Sequence, residues 1–208
     1  MTENKSEKTT KLLLSADRAE RDDASCPQGQ KDGISDKSEL IWEDNNMSRL
    51  GMLYALNEED VKKLRSVPEE ERYEYMLEEI EEALIGSPRS CELDKAWEGI
   101  QYCLGGGQWN EDNCIPTNIV FGGEVLVETD DEIITLKNHQ DVRDIVEYLH
   151  QNKLQEIIQK NFWNIDDENF MYKNDDGLEH TLGWSEEILA FYENALKENC
   201  QVIFTVDF

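Results

Sequence analysis

The stretch LDKAWEGIQYCLGGGQW, residues 93–109, decides the fold of this chain. Its apolar residues recur three and four positions apart, which predicts an amphipathic helix with one buried face: Leu93, Ala96, Trp97, Ile100 and Leu104. The glycines at 105–107 supply positive φ angles, so we expect the helix to end there. They follow a helix and precede no Lys-Ser or Lys-Thr pair, which argues against a phosphate-binding loop.

Short apolar runs outside this stretch predict strands. GMLYAL at 51–56, the run at 133–136 and QVIFTV at 201–206 have the length and composition of strands. The segment IVFGGEVLV at 119–127 fits either two short strands about Gly122-Gly123 or a loop and one strand. We expect the first and last strands to share one sheet. The predicted fold class is α+β, a single domain over residues 47–208 with a small mixed sheet packed by several amphipathic helices.

Capping residues mark the helix boundaries. Asn57, Asn138 and Ser185 each precede an apolar pattern of helical period. Pro68 takes the first position of another helix, whose spacing places six apolar residues on one face: Tyr73, Met76, Leu77, Ile80, Ala83 and Leu84. A second helix follows the one at Asn138 and ends near residues 162–163. Residues 164–177 are predicted to be an acidic loop without the ligand spacing of an EF-hand.

The charge of the chain limits its partners. It holds 47 acidic against 20 basic residues, a net charge of -27, and residues 47–208 carry -23 of it. Nucleic acids and anionic membranes are bound through Lys and Arg, so we expect neither as a partner. A basic protein is the expected partner, and a merely solvated surface is the alternative. The candidate docking face is the acidic row on the helix after Pro68: Glu78, Glu79 and Glu82.

Cysteine and histidine usage predicts neither a disulfide framework nor a metal site. The five cysteines form an odd set without a CxxC pair, which favours reduced thiols in a cytoplasmic protein. The three histidines are scattered, so we expect no metal and no cofactor. Residues 1–46 are polar and of mixed charge, which predicts a disordered acidic tail. The alternatives are a flexible leader and a start-site artefact with Met47 as the real beginning. The apolar run at 12–14 is too short for a signal peptide.

The order of these segments resembles the YfbM-like family of bacterial proteins. The resemblance covers about residues 50–208 and is carried by GMLYAL, LDKAWEGIQYCLGG, IITLKNHQDVRDIVEYL and WSEEILAFYENALKENCQVIFTV. The family is a domain of unknown function with an α+β fold, so the resemblance implies a fold and no reaction. Members often carry a histidine after the tryptophan of the LDKxW helix and a Thr-Gly at its end. Here Gln101 and Gly105-Gly106 stand in those places, and glutamine does not titrate near neutral pH.

Two functions fit the sequence. The first is a non-enzymatic acidic binding protein, comparable to an inhibitor or an immunity protein, for a basic protein partner. The alternative is a small-molecule-binding protein or an enzyme, with Asp94 as general base or cation ligand, Lys95 holding an anion and Trp109 stacking on a ring. Each of these three also has a structural explanation, namely capping, ion pairing or core packing.

The spacing of the residues yields no Ser/His/Asp or Cys/His arrangement, so the prediction leans against an enzyme. Cys103 and Cys114 are candidate nucleophiles only in the sense that any cysteine is. The sequence leaves the oligomeric state open.

Overall fold

The computed structural model describes residues 50–110, 114–166, 168 and 170–207. The predicted tail at residues 1–46 therefore lies outside the described residues.

Five strands form one sheet: β1 (Gly51–Leu56), β2 (Ser90–Asp94), β3 (Glu124–Glu128), β4 (Glu132–Lys137) and β5 (Gln201–Asp207). Their order is β2-β1-β5-β4-β3, so β2 and β3 are the edges. The α+β class and the pairing of the first strand with the last are confirmed. The described strand pairs are all antiparallel, so the expectation of a mixed sheet is wrong. Parallel neighbours need a long crossover, whereas three residues join β3 to β4.

One layer of helices covers the first face of the sheet. It consists of α1 (Glu58–Ser66), a 3₁₀ turn (Glu69–Glu71), α2 (Arg72–Tyr75), a π-helical turn (Met76–Glu81) and α3 (Glu82–Leu84). Asn57 caps α1 as predicted, because its side chain accepts from the amides of Glu59 and Asp60 at 2.9 Å. Met76 is buried but Leu77 is 43% exposed, contrary to the predicted face. A π turn is wider than an α turn, which breaks the 3.6-residue alignment.

A second layer covers the opposite face. It contains α4 (Ala96–Leu104), α5 (Ile115–Asn118), α6 (His139–Gln151), α7 (Leu154–Asn161), a 3₁₀ turn (Phe162–Asn164), α8 (Asp175–Ser185) and α9 (Ile188–Lys197). Asn138 caps α6 as predicted, in a capping box with Asp141. Within the described ranges, no helix combines the length and the apolar character that a membrane crossing requires.

Alternate residues of the sheet point into the two layers, as the period of two in a strand requires. Leu53 and Ala55 of β1 join the core under α4, where Trp97 is 1% exposed. Tyr54 and Leu56 join the core under α1. The predicted burial of the tryptophan at position 97 is confirmed.

The stretch at 93–109 divides into the end of a strand and a helix. Leu93 and Asp94 close β2, and α4 begins at Ala96 rather than at Leu93 as predicted. Leu93 fits both periods, because it aligns with Trp97 on a helix and with Cys91 on a strand. Asp94 turns the chain with a φ of 48°, a left-handed conformation that aspartate tolerates better than most residues. The predicted end at the glycine run is confirmed, since α4 stops at Leu104.

Three other segments differ from their prediction. Residues 119–127 contain one strand, β3, so the two-strand alternative is wrong. Pro68 precedes a 3₁₀ turn as its cap instead of opening an α-helix. Ser185 ends α8 instead of capping the last helix, and the first three residues of α8, 175–177, lie in the segment expected as loop. The buried positions of α8 are Gly177, Thr181 and Ser185, which are small or polar and therefore give no apolar stripe.

Candidate functional site

Two cavities meet at His180 on α8. The larger has a volume of about 570 Å³ and is lined by Met52, Ile85, Gly86, Ser87, Ser90, Glu92, His180, Gly183, Trp184, Glu186 and Glu187. The smaller has a volume of about 330 Å³ and is lined by Lys95, Ala96, Gly99, Phe170, Tyr172, Asn174, Asp176, Gly177, His180 and Thr181. His180 is the residue common to both walls, so it separates one cavity from the other.

The larger cavity, called the acidic cleft from here on, is lined by carboxylates and an indole. Glu92 lies on β2, and Glu186 and Glu187 lie in the turn between α8 and α9. All three side chains belong to exposed residues, and none of the lining residues is Lys or Arg. Trp184 adds an aromatic wall, and an indole face attracts cations. The cleft therefore suits a positively charged group.

A hydrogen-bonded group at the junction ties α8 to the end of β2. The indole Nε1–H of Trp184 lies 3.0 Å from Nε2 of His180, and the same nitrogen lies 3.2 Å from Oδ2 of Asp94. An indole only donates and a carboxylate only accepts. The single Nε2 atom therefore satisfies one of these two neighbours at a time. Nε2 donates to Asp94 when it carries hydrogen and accepts from Trp184 when it does not.

The smaller cavity combines opposite charges with an aromatic wall. Lys95 and Asp176 supply one cation and one anion, and Phe170 and Tyr172 supply rings. Close approach of α4 and α8 shapes its floor, because a Cβ on Gly99 would lie 2.9 Å from Oγ1 of Thr181. The cavity has room for a small polar molecule.

The structure brings together two of the three residues predicted for a small-molecule site. Asp94 contacts His180, and Lys95 lines the smaller cavity. Trp109 lines neither cavity. It packs edge-on against three rings, with centroid distances of 6.2 Å to Trp97, 5.4 Å to Tyr102 and 5.2 Å to Phe121.

The acidic row predicted for docking lies outside both cavities. Glu78 and Glu79 are exposed on the π turn, and Glu82 is exposed at the start of α3. Residues 85–87 line the cleft and follow α3 directly. The row is therefore close in sequence to residues at the rim of the acidic cleft.

Gln101 of α4 has a structural role. Its side chain is fully buried. Nε2 donates to the carbonyl of Asn110 at 3.2 Å, and Oε1 accepts from the amide of Phe121 at 3.3 Å. Gln101 thus ties α4 to the two segments that flank α5.

The cysteines offer no reactive thiolate in the described part of the chain. Burial raises the pKa of Cys103 to about 12, and burial together with the nearby Glu187 and Glu92 raises the pKa of Cys91 to about 12. Both thiols therefore stay protonated at neutral pH. Sγ of Cys114 lies 3.3 Å from Oγ1 of Thr117. Cys91, Cys103 and Cys200 are free.

Several residues of the site escape sequence reasoning. His180 and Trp184 stand four positions apart, which would place them on one face of α8 if that helix were recognised. Glu92 stands between two buried residues of β2, and that alternation marks it as an outward strand position. Within the described ranges, no group of three or more His, Cys, Asp or Glu is arranged to hold a metal ion.

Comparisons with known proteins identify the family. The chain is similar in structure to the protein of unknown function YfbM from Escherichia coli, with a TM-score of 0.51 and 18% identity over 76% of this chain and 99% of that one. At this identity the similarity supports the fold alone. No curated protein matches the chain. The model of a domain of unknown function, DUF1877, matches residues 47–205. Because that match spans most of the chain and agrees with the YfbM-like resemblance, the chain belongs to the DUF1877 family.

Proposed function

We propose that this protein is a non-enzymatic binding protein that holds a basic protein partner at the acidic cleft. The observation that carries the proposal is the lining of the cleft: three exposed glutamates, the indole of Trp184 and no Lys or Arg. A lysine or arginine side chain of the partner enters between Glu92 and Glu186, with its cation near the indole face. Both carboxylate and aromatic neighbours favour that cation.

The charge of the whole chain supports the same partner. A net charge of -27 attracts a basic protein over a distance of about 10 Å at moderate ionic strength. Complementary charge raises the rate of encounter more than it raises the final affinity. In the proposal, the acidic row of Glu78, Glu79 and Glu82 raises the rate of encounter with the partner, and the cleft makes the direct contact.

The experiment compares two variants of equal charge. One replaces the cleft glutamates (Glu92→Gln, Glu186→Gln, Glu187→Gln), and the other replaces the acidic row (Glu78→Gln, Glu79→Gln, Glu82→Gln). The probe is a fluorescently labelled peptide of alternating lysine and threonine, and fluorescence anisotropy gives its Kd. We expect the cleft variant to bind about tenfold more weakly, because it loses three ion pairs between exposed groups at about 0.5 kcal/mol each. The row variant should bind about two- to threefold more weakly through lost steering.

Two results would contradict the proposal. Equal weakening by both variants would mean that the peptide responds to net charge and not to the cleft. A Kd that does not rise with salt would mean that charge does not drive the association.

A second candidate function rests on the smaller cavity. Lys95 and Asp176 place opposite charges in its lining beside Phe170, which suits a small zwitterion with an apolar side chain. Isothermal titration calorimetry with phenylalanine tests it, and Lys95→Met should abolish the heat of binding. No heat with the unmodified protein would remove this candidate.

A further inference from the structure

We infer that the free edge of β2 binds an extended, basic segment of the partner by strand addition inside the acidic cleft. This inference rests on the proposed function and adds the backbone geometry of the contact. In strand addition, main-chain hydrogen bonds give affinity, and alternate side chains give specificity.

The hydrogen-bond pattern fixes which groups of β2 face outward. Tyr54 pairs with Ser90 and Leu53 pairs with Cys91 in the antiparallel register. The amide of Ala55 donates to the carbonyl of Arg89 at 2.8 Å, so the pair at 55 and 89 is hydrogen-bonded. Hydrogen-bonded and non-hydrogen-bonded pairs alternate in such a ladder. The backbone groups of Ser90 and Glu92 therefore point away from β1.

Most of these outward groups are available to a ligand. The amide of Ser90 donates to the carbonyl of Ser87 at 3.1 Å, so it is already used. The carbonyl of Glu92 points away from β1, and its contact with Sγ of Cys91 is a long one, at 3.9 Å. The amide and carbonyl of Glu92 and the carbonyl of Ser90 form a short unpaired edge, in the part of the chain that the structure describes. Two residues of an extended segment would match these three groups.

The cleft encloses this edge instead of lying on one face of the sheet. Met52 and Ile85 line it from the layer that contains α1 and α3. Gly183 and Trp184 of α8 line it from the opposite layer. Because walls from both layers extend past β2, a chain in the cleft lies alongside the strand.

The other edge strand, β3, is covered by a side chain, which distinguishes it from β2. Nη1 of Arg72 donates to the carbonyl of Leu126 on β3 at 2.8 Å. A register shift occurs at both edges, between Val125 and Val127 on β3 and between Gly51 and Met52 in the β1–β2 pair, so the shift does not distinguish them. The contact of Arg72 does, because a charged side chain of this kind protects an edge strand from pairing.

The side chains beside the edge select a basic segment. A residue opposite Glu92 lies about 4.5–5.5 Å away between Cβ atoms, where opposite charges stabilise the pair. Glu186 and Glu187 flank the same space from the other wall. We therefore expect lysine or arginine at alternate positions of the bound segment.

The test uses the full chain and three forms of the alternating lysine–threonine peptide. The first is unmodified, the second carries N-methyl groups on two central residues that stand two positions apart, and the third carries them on two terminal residues with the same spacing. Central methylation removes the donors without changing charge, so we expect its Kd to rise about tenfold, as for the loss of one or two hydrogen bonds. Terminal methylation should change the Kd less than about twofold. Amide exchange measured by NMR should slow at Glu92 when the unmodified peptide is bound.

A matched pair of variants tests the protein side. Glu92→Gln and Glu92→Pro both remove the carboxylate, and only proline also removes the amide that faces the edge. We expect proline to weaken binding about fivefold beyond glutamine. Thermal unfolding shows whether the proline variant is folded. If it is not, the methylated peptides alone test whether the segment binds by strand addition.

The outcomes separate this inference from the proposed function. If the peptide binds, responds to the cleft variant and is indifferent to central methylation, strand addition is wrong and the acidic cleft remains a docking site. If the cleft variant leaves the Kd unchanged, the proposed function itself is wrong.

Discussion

Replacement of Gln101 by methionine should destabilise the fold through two backbone groups. Methionine matches glutamine in length and flexibility, so the change removes hydrogen bonds with little change in volume. The amide of Phe121 loses its acceptor at 3.3 Å, and the carbonyl of Asn110 loses its donor at 3.2 Å. A buried group left without its partner costs about 1–3 kcal/mol.

The expected loss in the free energy of unfolding lies near the lower limit of the summed cost of these two backbone groups. Asn110 and Phe121 are only partly buried, so water replaces some of what Gln101 supplied. We therefore expect a loss of about 2 kcal/mol in the free energy of unfolding, which lowers the Tm by about 4–8 °C for a chain of this size.

Urea denaturation followed by tryptophan fluorescence measures this loss. Gln151→Met is the control, because Gln151 is exposed and makes one bond, from Nε2 to Oε1 of Glu147 at 3.1 Å. Its free energy of unfolding should stay within about 0.5 kcal/mol of the unmodified protein. Equal effects of the two substitutions would refute the structural role assigned to Gln101.

Three further substitutions test packing, two of them in the sheet and one on α8. Burial lowers the pKa of Lys137 well below its ordinary 10.5, so between the folded and the ordinary pKa the unfolded chain binds more protons and stability rises with pH. Lys137→Met should therefore raise the Tm at pH 7 and remove that rise, and an unchanged pH profile of thermal unfolding would contradict the burial. Gly51→Ala should cost about 1–3 kcal/mol, since its Cβ would lie 2.6 Å from Cδ1 of Trp97. Gly183→Ala, with no atom within 4 Å, should instead stabilise α8 by about 0.5–1 kcal/mol in the same urea assay.

Local chemistry made part of the fold predictable. Asn57 and Asn138 cap their helices as the sequence indicates, because capping depends on a side chain and an amide two or three residues away. The first and last strands follow from short apolar runs with β-branched and aromatic residues. These features can be predicted without knowing which segments of the chain pack together.

The candidate site depends on contacts that local patterns do not encode. The acidic cleft joins Glu92 of β2 to Trp184 of α8, which are far apart in the chain. Leu93 satisfies the helical period as well as the strand period, so the last two residues of β2 were assigned to the helix that follows it. The buried residues of α8 are Gly177, Thr181 and Ser185, so its sequence has no hydrophobic stripe that would predict a helix. Asp94 and Lys95 were proposed as site residues from their place at the start of the predicted helix, and in the structure Asp94 contacts His180 and Lys95 lines the smaller cavity.

The acidity of the cleft also bears on whether β2 pairs with a second copy of the chain. A free strand edge pairs readily with another strand. Two antiparallel β2 strands would place carboxylates opposite one another, and like charges in that position destabilise a sheet. A basic segment meets no such repulsion, so the same glutamates that oppose self-pairing favour the proposed partner. The cleft variant, with glutamine at 92, 186 and 187, should therefore associate with itself more strongly than the acidic-row variant in sedimentation equilibrium. Identical apparent masses for the two variants would show that these carboxylates are not what keeps the edge of β2 unpaired.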